Sequence, residues 1–171
     1  MMRNTFATLT VGSAVLFGCT AMASAQETSV SADYLGVNLG VANIINGKDS
    51  ALLGLEYRGA PLLWALYPHA GGFVTHRGAV YGYAGLGLEF RITDSILIRG
   101  NTAVGAYGQG DDRHLGHVIE FRSGVELAYE LPNRAQIGLT FHHLSNAGLD
   151  SDNDGTEIAT ITYSVPLDSL F

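Results

Sequence analysis

Near the C-terminal end of the chain, two residues with the chemistry of an ester hydrolase stand two positions apart. The stretch 141–148 reads Phe-His-His-Leu-Ser-Asn-Ala-Gly, and its alternating pattern predicts a β-strand. Successive side chains of a strand point to opposite faces, so His143 and Ser145 share a face with Cα atoms about 6.5–7 Å apart. His142 points to the other face. A histidine and a serine at this spacing, completed by a carboxylate, are the parts of a serine-hydrolase triad.

Glu157 is the carboxylate that can complete this set. It stands on the next predicted strand, after a loop rich in Asp, Asn and Gly. If the two strands form a hairpin centred near residue 150, His143 lies directly opposite Glu157, with Cβ atoms about 4.5–5.5 Å apart. A His-x-Ser pair on a strand is more often structural than catalytic. The position of the three residues in the fold is therefore needed to distinguish a structural role from a catalytic one.

Residues 1–25 have the pattern of a signal peptide that is removed on export. Arg3 precedes an apolar stretch over 6–17, and Ala23-Ser24-Ala25 forms a cleavage site of the A-x-A type. The apolar stretch is shorter than the roughly 20 residues that a membrane-spanning helix needs. The single cysteine, Cys19, leaves with this segment, so the mature chain has no thiol for a disulfide, a metal site or catalysis. We expect residues 26–171 to form one domain.

The mature chain is acidic. The full chain has 9 Lys and Arg against 16 Asp and Glu, and removal of Arg3 leaves 8 against 16. Nucleic acid is an unfavourable partner, because phosphate binding needs a basic surface. Asp150, Asp152 and Asp154 resemble the first half of a calcium loop, but the twelfth position is Ile161 instead of Glu. The sequence therefore predicts no metal site and no cofactor.

Alternation of apolar and polar residues dominates the mature chain and predicts an all-β fold. Connections rich in Gly, Asp and Asn separate the strands, and short connections largely alternate with longer ones, as in outer-membrane barrels. Eight strands are predicted, over residues 30–43, 50–58, 62–74, 79–92, 95–107, 117–131, 134–145 and 156–167.

The two faces of the sixth strand show how the sheet divides. One face is apolar except for Ser123, and the other carries Glu120, Arg122, Glu126 and Glu130. This alternation fits a soluble, lipocalin-like barrel as well as a membrane barrel, since it does not say which face is inside.

Three features favour a membrane barrel. The polar face mixes both signs of charge, it is rich in glycine, and the terminal Phe171 is in phase with the apolar face of the last strand. We therefore predict an eight-stranded antiparallel transmembrane β-barrel of the bacterial outer membrane. Trp64, Tyr67, Tyr81 and Tyr83 are expected at the membrane interfaces. His69 is expected to be a solvated surface residue.

The barrel prediction places the candidate triad on the outside. The apolar row of the seventh strand continues into His143 and Ser145, and Glu157 has the parity of the apolar row of the eighth strand. With the N-terminus in the periplasm, this end of the hairpin lies near the outer leaflet, which contains lipopolysaccharide. Polar groups exposed to hydrocarbon are costly, which favours a functional role. The alternative is that these residues only mark the headgroup boundary.

The motifs around these residues resemble those of the lipid A 3-O-deacylases of the outer membrane, the PagL type. The resemblance is strongest in His143-x-Ser145-Asn146-Ala147-Gly148 and Asn153-x-Gly155-x-Glu157. It extends more loosely through the segment 120–124 and the eight-strand layout.

Several roles are implied by the resemblance. Ser145 would be the nucleophile, His143 the general base and Glu157 the carboxylate that orients the imidazole. The backbone N–H groups of Asn146 and Gly148 would bind the oxyanion. The substrate would be lipid A of lipopolysaccharide, cleaved at its ester-linked 3-position acyl chain. Other outer-membrane lipids would surround the protein. Members of the family use no metal and can form homodimers. The main rival function is a non-catalytic outer-membrane barrel of structural or adhesion type.

Overall fold

The computed structural model describes residues 32–45 and 47–170, and these form a closed antiparallel barrel. Each strand pairs with its neighbours in sequence, and the last strand pairs with the first. The strands are β1 (Tyr34–Ala42), β2 (Ser50–Arg58), β3 (Leu66–Thr75), β4 (Val80–Arg91), β5 (Ile96–Gly108), β6 (Ile119–Glu130), β7 (Gln136–Ser145) and β8 (Thr156–Pro166), followed by a 3-10 turn at Leu167–Ser169. The predicted eight-stranded architecture is confirmed. No helix among the described residues has the length and apolar character needed to cross a membrane.

The outer surface of the barrel is apolar. Leu39, Leu127, Leu139 and Ile161 alternate with buried or partly buried neighbours on their strands, and each has more than half of its surface exposed. A soluble barrel keeps such residues inside, whereas a membrane barrel presents them to lipid. The orientation of the two faces therefore excludes the lipocalin-like alternative.

A network of charged and polar side chains fills the interior. Arg99 is fully buried and donates hydrogen bonds to Glu89 (2.6 Å) and Glu126 (2.8 Å). Arg122 donates to Glu56 at 3.1 Å, and its guanidinium lies 3.7 Å from the ring centre of Tyr83. Buried charges of opposite sign require such pairing, because an unpaired charge in this environment is strongly destabilising.

Three of the four aromatic residues expected at the interfaces lie inside the barrel instead. Tyr67, Tyr81 and Tyr83 have at most 7% of their surface exposed. Glycines make room for them: a Cβ at Gly87 would overlap the Tyr67 ring, and one at Gly105 would overlap the Tyr81 ring. The inner face is thus rich in glycine because large aromatic rings point inward and need the space that a side chain would fill.

The expectation for His69 was also wrong. This residue is 3% exposed, and its Nε2 lies 3.2 Å from the carbonyl oxygen of Thr102. Its Nδ1 lies 3.5 Å from Glu56. His69 is therefore part of the interior network, because its strand parity directs it inward.

β3 begins at Leu66, four residues later than predicted. Leu62 and Leu66 face each other across a tight turn, in which Trp64 adopts a left-handed φ of +50°. Leu62, Leu63 and Trp64 are at least 62% exposed, and the Trp64 ring contacts Phe90 edge-on. Because these residues are apolar, the sequence predicts a strand here, but they belong to a turn at the end of the barrel.

The four connections over residues 43–49, 76–79, 109–118 and 146–155 lie at the same end of the barrel, here called the outer end; all but 76–79 are long. The turns and the start of β1 lie at the opposite, inner end. The proposed signal peptide 1–25 and the terminal Phe171 lie outside the described residues.

Asp112 closes the outer end of the barrel. Its carboxylate accepts hydrogen bonds from Asn43 Nδ2 (2.7 Å) and Thr75 Oγ1 (2.6 Å), and Asn43 Oδ1 accepts one from Thr156 (2.7 Å). Burial alone would raise the pKa of Asp112, but the hydrogen bonds outweigh it and hold the pKa below its ordinary value. The long connection after β5 is thereby attached to the end of β3 and to Asn43, which follows β1, and through Asn43 to the start of β8.

Candidate active site

His143 and Glu157 form a pair on the outer surface of the barrel. They are directly opposed in the register of β7 and β8, as the hairpin centre near residue 150 predicted. His143 Nδ1 lies 3.3 Å from Glu157 Oε1. The His143 side chain is 48% exposed and that of Glu157 is 19% exposed. A carboxylate on Nδ1 fixes the ring orientation and leaves Nε2 for proton transfer.

Gly155 supports the other edge of the imidazole. A Cβ at this position would lie 3.0 Å from His143 Cε1 and 3.5 Å from Nε2, so a larger residue would push the ring aside by a few tenths of an ångström. Gly155 also has a φ of +54°, a left-handed conformation that favours glycine. Its place just before β8 puts it on the outer-end side of Glu157. The edge of the ring formed by Cε1 and Nε2 therefore faces Gly155.

Ser145 is the last residue of β7 and lies on the same face as His143. It is paired with Phe121 of β6 and is partly exposed. Within the part of the chain that the structure describes, its hydroxyl makes no hydrogen bond to His143. Contacts between a nucleophile and its base are often long before substrate binds and tighten in the reacting complex. The structure thus brings histidine and carboxylate together and places the serine beside them.

His142 provides the contrast that strand parity predicts. It points into the barrel, is 7% exposed and lies against Gly124 of β6. Only one of the two adjacent histidines is therefore accessible from the membrane side.

A tight turn follows Ser145. Ala147 and Gly148 both have left-handed φ values, +54° and +83°, and Leu149 N–H donates to the carbonyl of Asn146 at 3.1 Å. The N–H of Asn146 donates to Asn153 Oδ1 (3.0 Å), and that of Gly148 donates to Asn146 Oδ1 (2.9 Å). Both N–H groups expected to bind an oxyanion are thus engaged in holding the turn.

Two residues of the connection between β5 and β6, Leu115 and Arg113, lie outside the predicted set and hold this loop in place. The buried side chain of Asn146 donates to the carbonyls of Leu115 (2.9 Å) and Asp152 (2.7 Å). Arg113 Nε donates to the carbonyl of Gly155 at 3.0 Å. The connection between β5 and β6 therefore supports the backbone on which the His143 ring rests. No motif in the sequence predicts the contacts of Leu115 and Arg113, since each lies more than 30 residues from its partner, Asn146 or Gly155.

Among residues 32–45 and 47–170, no cluster of three or more His, Cys, Asp or Glu side chains is arranged to hold a metal ion. Two of the three carboxylates of the calcium-like stretch lie beside basic side chains: Asp152 lies 3.2 Å from His114 Nδ1, and Asp154 pairs with Arg113 at 2.9 Å.

Comparison with known proteins shows which family this chain resembles. A family model described as lipid A 3-O-deacylase (PagL) matches residues 53–166, more than half of the chain. A lipid A deacylase PagL from Pseudomonas aeruginosa is 30% identical over 92 residues, which is 52% of this chain. One from Bordetella bronchiseptica is 34% identical over 53 residues, or 31% of this chain. The matched stretches cover 49% and 30% of the relatives' own lengths.

Solved structures show the same fold. The crystal structure of the outer membrane enzyme PagL superposes with a TM-score of 0.63 at 23% identity, covering 78% of this chain and 99% of that one. A de novo designed transmembrane β-barrel superposes with a TM-score of 0.53 at 14% identity, covering 77% and 95%. The second match shows that the barrel alone does not specify a function, which must come from the site.

Proposed function

The chain belongs to the lipid A 3-O-deacylase (PagL) family, and from that premise we propose that it is a serine esterase of the outer membrane. Its substrate would be lipid A, cleaved at the ester-linked acyl chain of the 3-position. The observation that carries this proposal is the His143–Glu157 pair on the lipid-facing surface with Ser145 on the same face. A membrane lipid can reach this site laterally, without entering the barrel.

The reaction proceeds in two steps. Ser145 Oγ attacks the ester carbonyl while His143 Nε2 accepts the hydroxyl proton, and Glu157 stabilises the resulting imidazolium. The tetrahedral intermediate collapses, its C–O bond to the sugar breaks, and His143 returns the proton to the departing sugar hydroxyl. Water, deprotonated by His143, then hydrolyses the acyl-enzyme, releases the fatty acid and regenerates Ser145.

The turn after Ser145 would supply the oxyanion donors. The N–H groups of Asn146 and Gly148 serve this role in our proposal, each by shifting or sharing its present bond to Asn153 or Asn146. One such donor is typically worth about 2.7–4 kcal/mol of transition-state stabilisation. The glycine and the left-handed turn allow the peptide rotation that the shift requires.

Mass spectrometry of lipid A from a bacterium expressing the protein would test the proposal. We expect the wild type to remove one ester-linked acyl chain, and Ser145→Ala and His143→Ala to leave lipid A intact. His142→Gln is the matched control and should retain activity, because that histidine points into the barrel. Heat-modifiable migration on gels would verify that each variant is folded.

Two outcomes would overturn the proposal. Intact lipid A with a folded wild-type protein would favour the structural or adhesion-type barrel. Activity that survives Ser145→Ala would mean that another residue is the nucleophile.

A further inference from the structure

Polar side chains on the lipid-facing surface are confined to one region. Along the eight described strands, the outward positions hold aliphatic residues, Phe, Gly, Ala, Pro and, towards the inner end, Tyr. Five outward positions break this pattern, and all lie on β5 to β8: Thr102, Ser123, His143, Ser145 and Glu157. Three of these are the proposed triad. The other two, Ser123 and Thr102, have no role in the mechanism above.

The strand register makes these positions contiguous. Glu157 is opposite His143, His143 is opposite Ser123, and Ser123 is opposite Thr102. Directly opposed residues have Cβ atoms about 4.5–5.5 Å apart. The proposed triad therefore continues sideways across the surface as a row of hydroxyl groups.

Ser123 also stands in a defined relation to the nucleophile. Because Ser145 is paired with Phe121, Ser123 is its diagonal neighbour, at about 7–8 Å between Cα atoms. β6 runs away from the outer end, so Ser123 lies deeper in the membrane than Phe121. An acyl chain that descends from an ester held at Ser145 passes close to it.

The hydroxyl of Ser123 is exposed to this surface, and none of the described residues forms a hydrogen bond with it. A hydroxyl that faces hydrocarbon without a partner is unfavourable. A polar group on the substrate itself would satisfy it at this depth.

We propose that Ser123 is a specificity-determining residue that hydrogen-bonds a hydroxyl carried near the ester end of the scissile acyl chain, as in a 3-hydroxyacyl ester. Thr102 extends the same polar row by one strand. A hydroxyl on the third carbon is two C–C bonds of about 1.5 Å from the carbonyl carbon. A hydrogen bond of about 2.8 Å then spans the remaining distance to Ser123. This inference rests on the proposed function and adds to it a residue that recognises the substrate.

Two matched substrates would test the inference. A 3-hydroxyacyl ester and the unsubstituted acyl ester of the same length, on the same glucosamine lipid, would be hydrolysed in mixed micelles by the purified protein. We expect the wild type to prefer the hydroxyacyl ester. Ser123→Ala should lower kcat/KM for that ester about tenfold and leave the unsubstituted ester unchanged, since one neutral hydrogen bond is lost. Ser123→Thr should restore the preference.

Ser169→Ala, the same chemical change at the inner end, is the control and should alter neither rate. Equal loss on both esters in Ser123→Ala would show a structural effect, and an unchanged preference would show that Ser123 does not contact the chain. Either result overturns the inference while leaving the proposed function intact. If the wild type cleaves neither ester, the proposed function fails and this inference fails with it.

Discussion

At the scale of single residues, one step along a strand separates two histidines into different chemical environments. His143 is 48% exposed and paired with a carboxylate, whereas His142 is 7% exposed and enclosed by the barrel. The difference arises from the twofold periodicity of the strand alone. The same periodicity places Ser145 on the same face as His143. Once the outer face of the barrel is known, the alternation of side chains therefore identifies which residues can form the candidate site.

Glu157 gives the sharpest prediction at this scale. Glu157→Gln keeps the size of the side chain but removes the charge that stabilises the imidazolium. We expect kcat to fall about 10²–10⁴-fold, in line with the loss of the acidic member of other triads. Steady-state hydrolysis of a lipid ester in micelles measures this directly.

Asp150→Asn is the control, because it removes a carboxylate of the same hairpin that contacts only its own loop. Its rate should remain within about twofold of wild type. A Glu157→Gln rate near that of the wild type would show that the carboxylate charge is not used in the reaction.

At the scale of elements, the β7–β8 hairpin and its loop determine the position of the imidazole. Glu157 holds one edge of the ring, and the backbone at Gly155 lies against the other. Arg113, from the connection between β5 and β6, holds the carbonyl of Gly155. The geometry of the histidine therefore depends on two loops that are distant in sequence.

Gly155→Ala tests this support. The added methyl group would meet His143 Cε1 at 3.0 Å and displace the ring. We expect kcat to fall at least tenfold, because small errors in the position of a catalytic group are costly. Gly47→Ala is the matched control, since Gly47 also has a left-handed φ (+77°) but nothing within 4 Å of a new Cβ. Comparable losses in both variants would attribute the effect to backbone strain instead of ring displacement.

The register of these strands can be predicted from the sequence, whereas some strand ends and the contacts between loops cannot, for physical reasons. Strand parity and the hairpin centre place His143 opposite Glu157 correctly, because pairing in a closed sheet leaves little freedom of register. The start of β3 was misplaced, since Leu62, Leu63 and Trp64 are apolar whether they line a strand or an interfacial turn. Arg113 was missed because a contact between loops leaves no periodic signal.

At the scale of the whole molecule, polar side chains fill the barrel interior, and hydrogen bonds between connections close its outer end. The Arg99 and Arg122 networks occupy the lumen, and Asp112 connects the long β5–β6 connection to β1 and β3. The filled barrel therefore supports the candidate site on its outer surface.

Asp112 makes this closure pH-dependent. Its pKa is lowered in the folded protein, so its contribution to stability is complete above the unfolded value near 3.8 and is lost as the pH falls through the lower folded value. We expect Asp112→Asn to reduce the free energy of unfolding by about 1–3 kcal/mol at neutral pH. The difference from wild type should shrink below about pH 4.

Urea unfolding in detergent micelles at several pH values would measure this difference. Asp111→Asn, at the exposed neighbouring position, should have little effect at any pH. A destabilisation of Asp112→Asn that persisted unchanged at low pH would show that the carboxylate charge does not contribute.

The outward-facing site has a kinetic consequence. An enzyme whose catalytic groups open sideways into the leaflet meets its substrate by diffusion in two dimensions. If its substrate is lipid A, as we propose, its rate would depend on the mole fraction of that lipid in the surrounding leaflet and not on the amount per volume of solution. Diluting the leaflet with an inert amphiphile would slow turnover even at constant total substrate. Because both products are amphiphiles released into the same plane, they would compete with fresh substrate until lateral mixing carries them away.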